Sequence, residues 1–80
     1  MIRLYLVSIE DLVEKGKKFL TDGKYFEALE CFEDALTIKN NDPDLLNYKG
    51  VVLRSMGRYD EASECFNKSL EIDPRDKDSS

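Results

Sequence analysis

Cys31 and Cys65 are the two side chains of this 80-residue chain most able to act as nucleophiles, and they stand 34 positions apart. A thiol becomes reactive when a base or a cation holds it as thiolate. The chain has no histidine, and neither cysteine has an activating pattern around it. The two do not form a C-x-x-C pair, and without histidine no zinc set is completed. Two reduced thiols, as a cytosolic protein keeps them, are the expected state. Paired carboxylates occur at Glu10-Asp11 and Glu33-Asp34, where solvated helix faces explain them better than acid–base chemistry. The glycines are isolated, in neither G-x-x-x-x-G-K nor G-x-G-x-x-G order, so no phosphate loop is present. No catalytic, cofactor-binding or metal-binding residue is expected, which leaves recognition as the chemistry to look for.

Whatever is recognised must be held by elements that the sequence spells out twice. Leu12, Gly16, Gly23, Tyr25, Ala28, Cys31, Phe32, Leu36 and Ile38 each return 34 positions later. The second set is Leu46, Gly50, Gly57, Tyr59, Ala62, Cys65, Phe66, Leu70 and Ile72. A fixed period of this size marks a stacked-repeat architecture. Ser8 is a candidate helix start, with its side chain on the backbone near Asp11 and Asp11 reaching back, an aspartate version of the capping box. Val7 and Leu12 have the spacing of a hydrophobic staple across it. One period on, Asp42 is a favoured cap, followed by Pro43 at the first helical position. Helices are expected over 9–22, 25–39, 43–56 and 59–72, with breaks at Gly23 and Gly57, a polar loop at 40–42 and a stop at Pro74. A competing pattern runs Ile2, Tyr5, Leu6, Ile9, Leu12 on one helical face. It would start the first helix near Ile2, and the cap at Ser8 is the favoured reading.

Gly16 and Gly50 fall inside predicted helices, where each costs roughly 1 kcal/mol relative to alanine. Ala28 and Ala35, and later Ala62 with Ser69, are the expected facing partners that let two helix axes approach. Leu12, Phe19, Tyr25 and Phe32 then fill the space on either side, as Leu46, Leu53, Tyr59 and Phe66 do in the second copy. In these residues the chain resembles the tetratricopeptide repeat family. Leu12-x2-Lys15-Gly16-x2-Phe19 and Gly23-x-Tyr25-x2-Ala28-x3-Phe32-x2-Ala35-Leu36 are similar to its two helix patterns. Leu46-x2-Lys49-Gly50-x2-Leu53 and Gly57-x-Tyr59-x2-Ala62-x3-Phe66-x2-Ser69-Leu70 repeat them, closing on Pro74. Leucine stands for the family's tryptophan at Leu12 and Leu46, lysine for leucine at Lys15 and Lys49, and Asn40 for a closing proline.

The resemblance implies an all-α fold: two stacked antiparallel helix hairpins of a right-handed solenoid, with repeats at 9–42 and 43–76. Residues 1–8 would form an apolar N-terminal segment and 77–80 a disordered tail. It also implies a non-catalytic module whose first-of-pair helices line a concave groove for a protein or peptide. The lining would be Glu10, Val13, Glu14, Lys17, Leu20 and Thr21, then Asp44, Asn47, Tyr48, Val51, Arg54 and Ser55. Val13, Lys17, Asn47, Tyr48, Val51 and Arg54 are the best candidates among them. Tyr48 and Val51 are apolar residues off the core stripe, the Asn47 amide both donates and accepts, and Arg54 and Lys17 suit a carboxylate. A family subset that grips C-terminal carboxylates does not fit, since Val13, Lys17 and Tyr48 replace its lysine and asparagines.

Stacked repeats leave their last helix uncovered. Phe66, Leu70 and Ile72 are therefore candidate self-association residues, and a homo-oligomer, with a two-fold dimer favoured, is the alternative function. A piece of a longer array would present the same face. A net charge of −5 argues against nucleic acid, whose binding rests on Lys and Arg, and against an anionic membrane. The apolar run at 2–7 is shorter than a signal-peptide core and far shorter than a membrane span, so a cytoplasmic protein is expected.

Overall fold

The computed structural model describes residues 8–72. Four helices follow one another: α1 (Ile9–Thr21), α2 (Tyr25–Ile38), α3 (Pro43–Ser55) and α4 (Tyr59–Ile72), and no strand occurs among the described residues. Residues 1–7 of the expected N-terminal segment at 1–8, the Val7 staple, the stop at Pro74 and the tail lie outside the described residues.

Local chemistry sets the helix ends. Ser8 is extended, and its hydroxyl accepts from the Asp11 amide at 3.2 Å, the forward half of the expected capping box. α1 thus starts at Ile9. The Asp42 carboxylate accepts from the amides of Asp44 and Leu45 at 2.8 and 3.3 Å, with Pro43 in the first turn. Each hairpin turns on a glycine with positive φ, +81° at Gly23 and +85° at Gly57. There the amide of Lys24 donates to the Phe19 carbonyl (2.8 Å) and that of Gly23 to Leu20 (3.2 Å). Arg58 to Leu53 (2.9 Å) and Gly57 to Arg54 (3.0 Å) repeat the arrangement. These paired bonds are a Schellman closure, which needs a left-handed residue at its centre.

α1 packs on α2, α2 on α3 and α3 on α4. Ala28, Phe32 and Ala35 of α2 are fully buried, and Leu29 shares a cluster with Val52 and Leu53 of α3. At the glycines themselves the nearest neighbours are aromatic rings rather than Ala28, Ala35, Ala62 or Ser69. A Cβ at Gly16 would stand 2.6 Å from the Phe32 ring, and one at Gly50 2.7 Å from the Phe66 ring. The space each glycine vacates is taken by an aromatic ring of the paired helix. The four small residues are buried nonetheless, and the Ser69 hydroxyl donates to the Pro43 carbonyl at 3.1 Å, tying α4 to the start of α3.

The expected core place of Tyr59 is also corrected. Tyr25 packs against the core beside Ser55 and Met56 at the end of α3, whereas Tyr59 is 65% exposed. The reason is positional: Tyr25 has a following hairpin over it, and among the described residues nothing follows α4.

Candidate functional site

The N-terminal halves of α1 and α3 lie side by side and enclose an open hollow of about 290 Å³. α1 lines it with Ile9, Glu10, Val13 and Glu14, and α3 with Asp44, Leu45 and Tyr48, while Asp42 closes the loop side. The spacing explains the choice. Residues 9, 10, 13 and 14 are one-turn neighbours on a helix, and 44, 45 and 48 repeat the pattern. Ser8 and Asp42 cap the two helices one period apart, so their first turns come level.

The floor of the hollow is apolar and fixed. Leu45 is buried, while Ile9, Val13 and Tyr48 are half-buried. Tyr48 departs from its expected place off the core stripe: its ring stacks on Phe32, with centroids 5.1 Å apart and planes within 6°. Phe32 is therefore held between Gly16 of α1 and Tyr48 of α3. Offset stacking of this kind adds about 0.5–1.5 kcal/mol beyond the area buried. Val13 packs against the same core. Both residues are structural as well as exposed, so the hollow is presented on a rigid base.

The rim carries charge. Glu10, Glu14 and Asp44 are exposed carboxylates. Asp42 is occupied by its cap bonds and by Lys39 at 3.5 Å. The Lys17 ammonium sits 5.7 Å from the centre of the Tyr48 ring, within range of a cation–π contact.

Of the six groove residues singled out from sequence, the fold brings Val13, Lys17 and Tyr48 together. Of these six, only Val13 and Tyr48 line the hollow; Lys17 reaches the Tyr48 ring from outside it, and Asn47, Val51 and Arg54 are not in it. They continue along α3 at helical spacing, Asn47 exposed and Val51 half-buried, and the Arg54 guanidinium lies 5.9 Å from the centre of the Phe66 ring. Ile9, Asp42 and Leu45 line the hollow although sequence reasoning does not pick them out. The matching caps at Ser8 and Asp42 are the signal that could have found them. Of the end residues, Leu70 and Ile72 are each 37% exposed, and Phe66 is half-buried with its ring on Gly50.

Both cysteines are free. Burial pushes the Cys31 and Cys65 thiols above their ordinary pKa, against the smaller opposing pull of Lys15 and Lys49 respectively. Among the described residues no cluster of three potential metal ligands occurs, and no helix is long and apolar enough to cross a membrane.

Residues 43–76, which span α3 and α4, match the family model of the tetratricopeptide repeat. No curated protein matches the chain. Repeats of this family mediate interactions between proteins, and as a family they are typically non-catalytic.

Proposed function

We propose, from the tetratricopeptide repeat that this chain carries, that it is a non-catalytic adaptor holding a partner segment across α1 and α3. The observation that carries this is the hollow between those helices. Its apolar floor of Val13 and Tyr48 is left half-exposed on side chains that the core holds in place. A preformed surface loses less conformational entropy when a peptide settles on it. Asn47, Val51 and Arg54 extend the same helix and lengthen the contact. The adaptor works in the cytoplasm, where free thiols such as Cys31 and Cys65 persist.

Photo-crosslinking tests it. Benzoylphenylalanine placed at exposed Asn47 should capture a discrete partner in the source cell, and the same group at exposed Lys68 of α4 should not. Equal capture from both positions would remove the groove from the proposal. Tyr48→Ala is a poor probe, because it uncovers Phe32 and confounds binding with stability.

A second reading, self-association, is supported by the exposure of Leu70 and Ile72. Leu70→Asp should then turn a sedimenting dimer into a monomer, and an unchanged variant or a monomeric wild type removes this reading.

A further inference from the structure

The rim and floor of the hollow narrow the chemistry of what it holds, on the premise of the groove reading above. We infer that the groove selects a segment carrying a lysine or arginine beside an apolar residue. The basic side chain's stem lies on Val13 and Tyr48, and its charged head lies among Glu10, Glu14 and Asp44.

Four carboxylates surround the hollow, and among the described residues no lysine or arginine lines it. Asp42 is used by its cap bonds and by Lys39. Among the described residues Glu10, Glu14 and Asp44 take part in no ion pair. The positive helix ends explain Glu10 and Asp44, which sit in first turns. Glu14, a turn further on, stands four residues after Glu10, a like-charge spacing that weakens a helix, and four before Lys18, a spacing that steadies it, and no ion pair joins Glu14 to Lys18. Its carboxylate thus remains available on the rim beside Glu10 and Asp44.

An anion fits the hollow poorly. At the start of α3 the amides of Asp44 and Leu45 are taken by Asp42, at the start of α1 that of Asp11 is taken by Ser8, and the carboxylates of the rim repel an anion. The Lys17 ammonium is turned over Tyr48. Long basic side chains join an apolar stem to a charged head, which matches the apolar floor and acidic rim in both respects. The room available suits one such side chain and its adjoining backbone.

Selection of a phage-displayed random decapeptide library on the whole chain tests the inference. The expected outcome is enrichment of lysine or arginine next to leucine, isoleucine or phenylalanine. Amide signals of Val13 and Tyr48 should shift when a selected peptide is added. Its affinity should fall about fivefold or more in Glu14→Gln combined with Asp44→Asn, the scale of two exposed ion pairs, with the helical circular dichroism of the folded chain retained at the temperature of the binding measurement. Enrichment of acidic or neutral peptides that still shift Val13 and Tyr48 would overturn the charge preference and leave the groove reading standing. A library yielding no binder would overturn the charge preference as well, and crosslinking from Asn47 would then decide the groove separately.

Discussion

Phe32 touches a glycine on one side and a tyrosine ring on the other, and each contact limits what its neighbours can be. A Cβ at Gly16 meets the ring at 2.6 Å, and the ring, fully buried and stacked on Tyr48, has nowhere to retreat. Overpacking of this kind costs about 1–3 kcal/mol, against a helix-propensity gain of about 1 kcal/mol from replacing glycine. Gly16→Ala should therefore lower stability by up to about 2 kcal/mol in urea unfolding. Gly50→Ala meets Phe66 just as closely, but that ring is half-buried and can swing toward solvent. Its cost should be distinctly smaller, and equal losses would mean that Tyr48 does not confine Phe32. The cysteines supply a pH test. Burial raises both thiol pKa values in the folded chain, so the native state holds its protons to higher pH than the unfolded one. Stability from this source is complete below the ordinary thiol pKa and is lost as pH climbs from there through the raised values. Unfolding midpoints should fall between neutral and alkaline pH, less steeply in Cys65→Ala. Buried Cys65 should also react with a disulfide reagent more slowly than half-buried Cys31.

At the scale of the element, the helix ends are where sequence and geometry agree most closely. Ser8 and Asp42 cap, Gly23 and Gly57 close, and the four helices fall within a residue of their expected bounds. Caps and turns are short-range chemistry, so each is legible without knowing what packs nearby. The Asp42 carboxylate receives two amides, one at 2.8 Å, whereas Ser8 receives one at 3.2 Å in the open. Asp42→Ala should cost about 1 kcal/mol and Ser8→Ala less, measured as shifts in the denaturation midpoint. The Glu33–Lys49 pair across α2 and α3 spans 3.6 Å with Glu33 exposed. At no more than about 1 kcal/mol, it adjusts the helix register rather than holding it. What sequence does not show is which surface each side chain meets across a helix boundary. The alternation of small and large residues is plain, but not that Phe32 itself fills the dent at Gly16 or that Tyr48 backs it. The site is half legible for the same reason. Glu10, Glu14 and Asp44 follow from the groove face that the family resemblance implies, whereas Ile9 and Leu45 join the hollow because helices a full period apart come level.

Over the whole molecule, the two hairpins are alike in sequence and unlike in environment. Leu29, Phe32 and Ala35 of α2 are buried, Leu29 against Val52 and Leu53 of the next hairpin. The positions 34 residues on, in α4, are Ser63, Phe66 and Ser69. There Ser63 is exposed, while Ser69 is turned inward to the Pro43 carbonyl. A serine in place of leucine weakens any further contact in the same register. Burying a leucine fully contributes about 1.5–3 kcal/mol, whereas covering a hydroxyl without a partner costs about 1–3 kcal/mol. Phe66, Leu70 and Ile72 still leave apolar surface on the same helix. α4 is thus only half adapted to water, and Ser63 limits how much stacking can gain. Ser63→Leu should tip the balance: at equal concentration the variant should sediment as larger species than the unmodified chain. Adding Leu70→Asp to that variant should reverse the shift. If Ser63→Leu leaves the sedimentation unchanged, α4 does not present a face equivalent to that of α2, and the stacking argument for self-association fails with it.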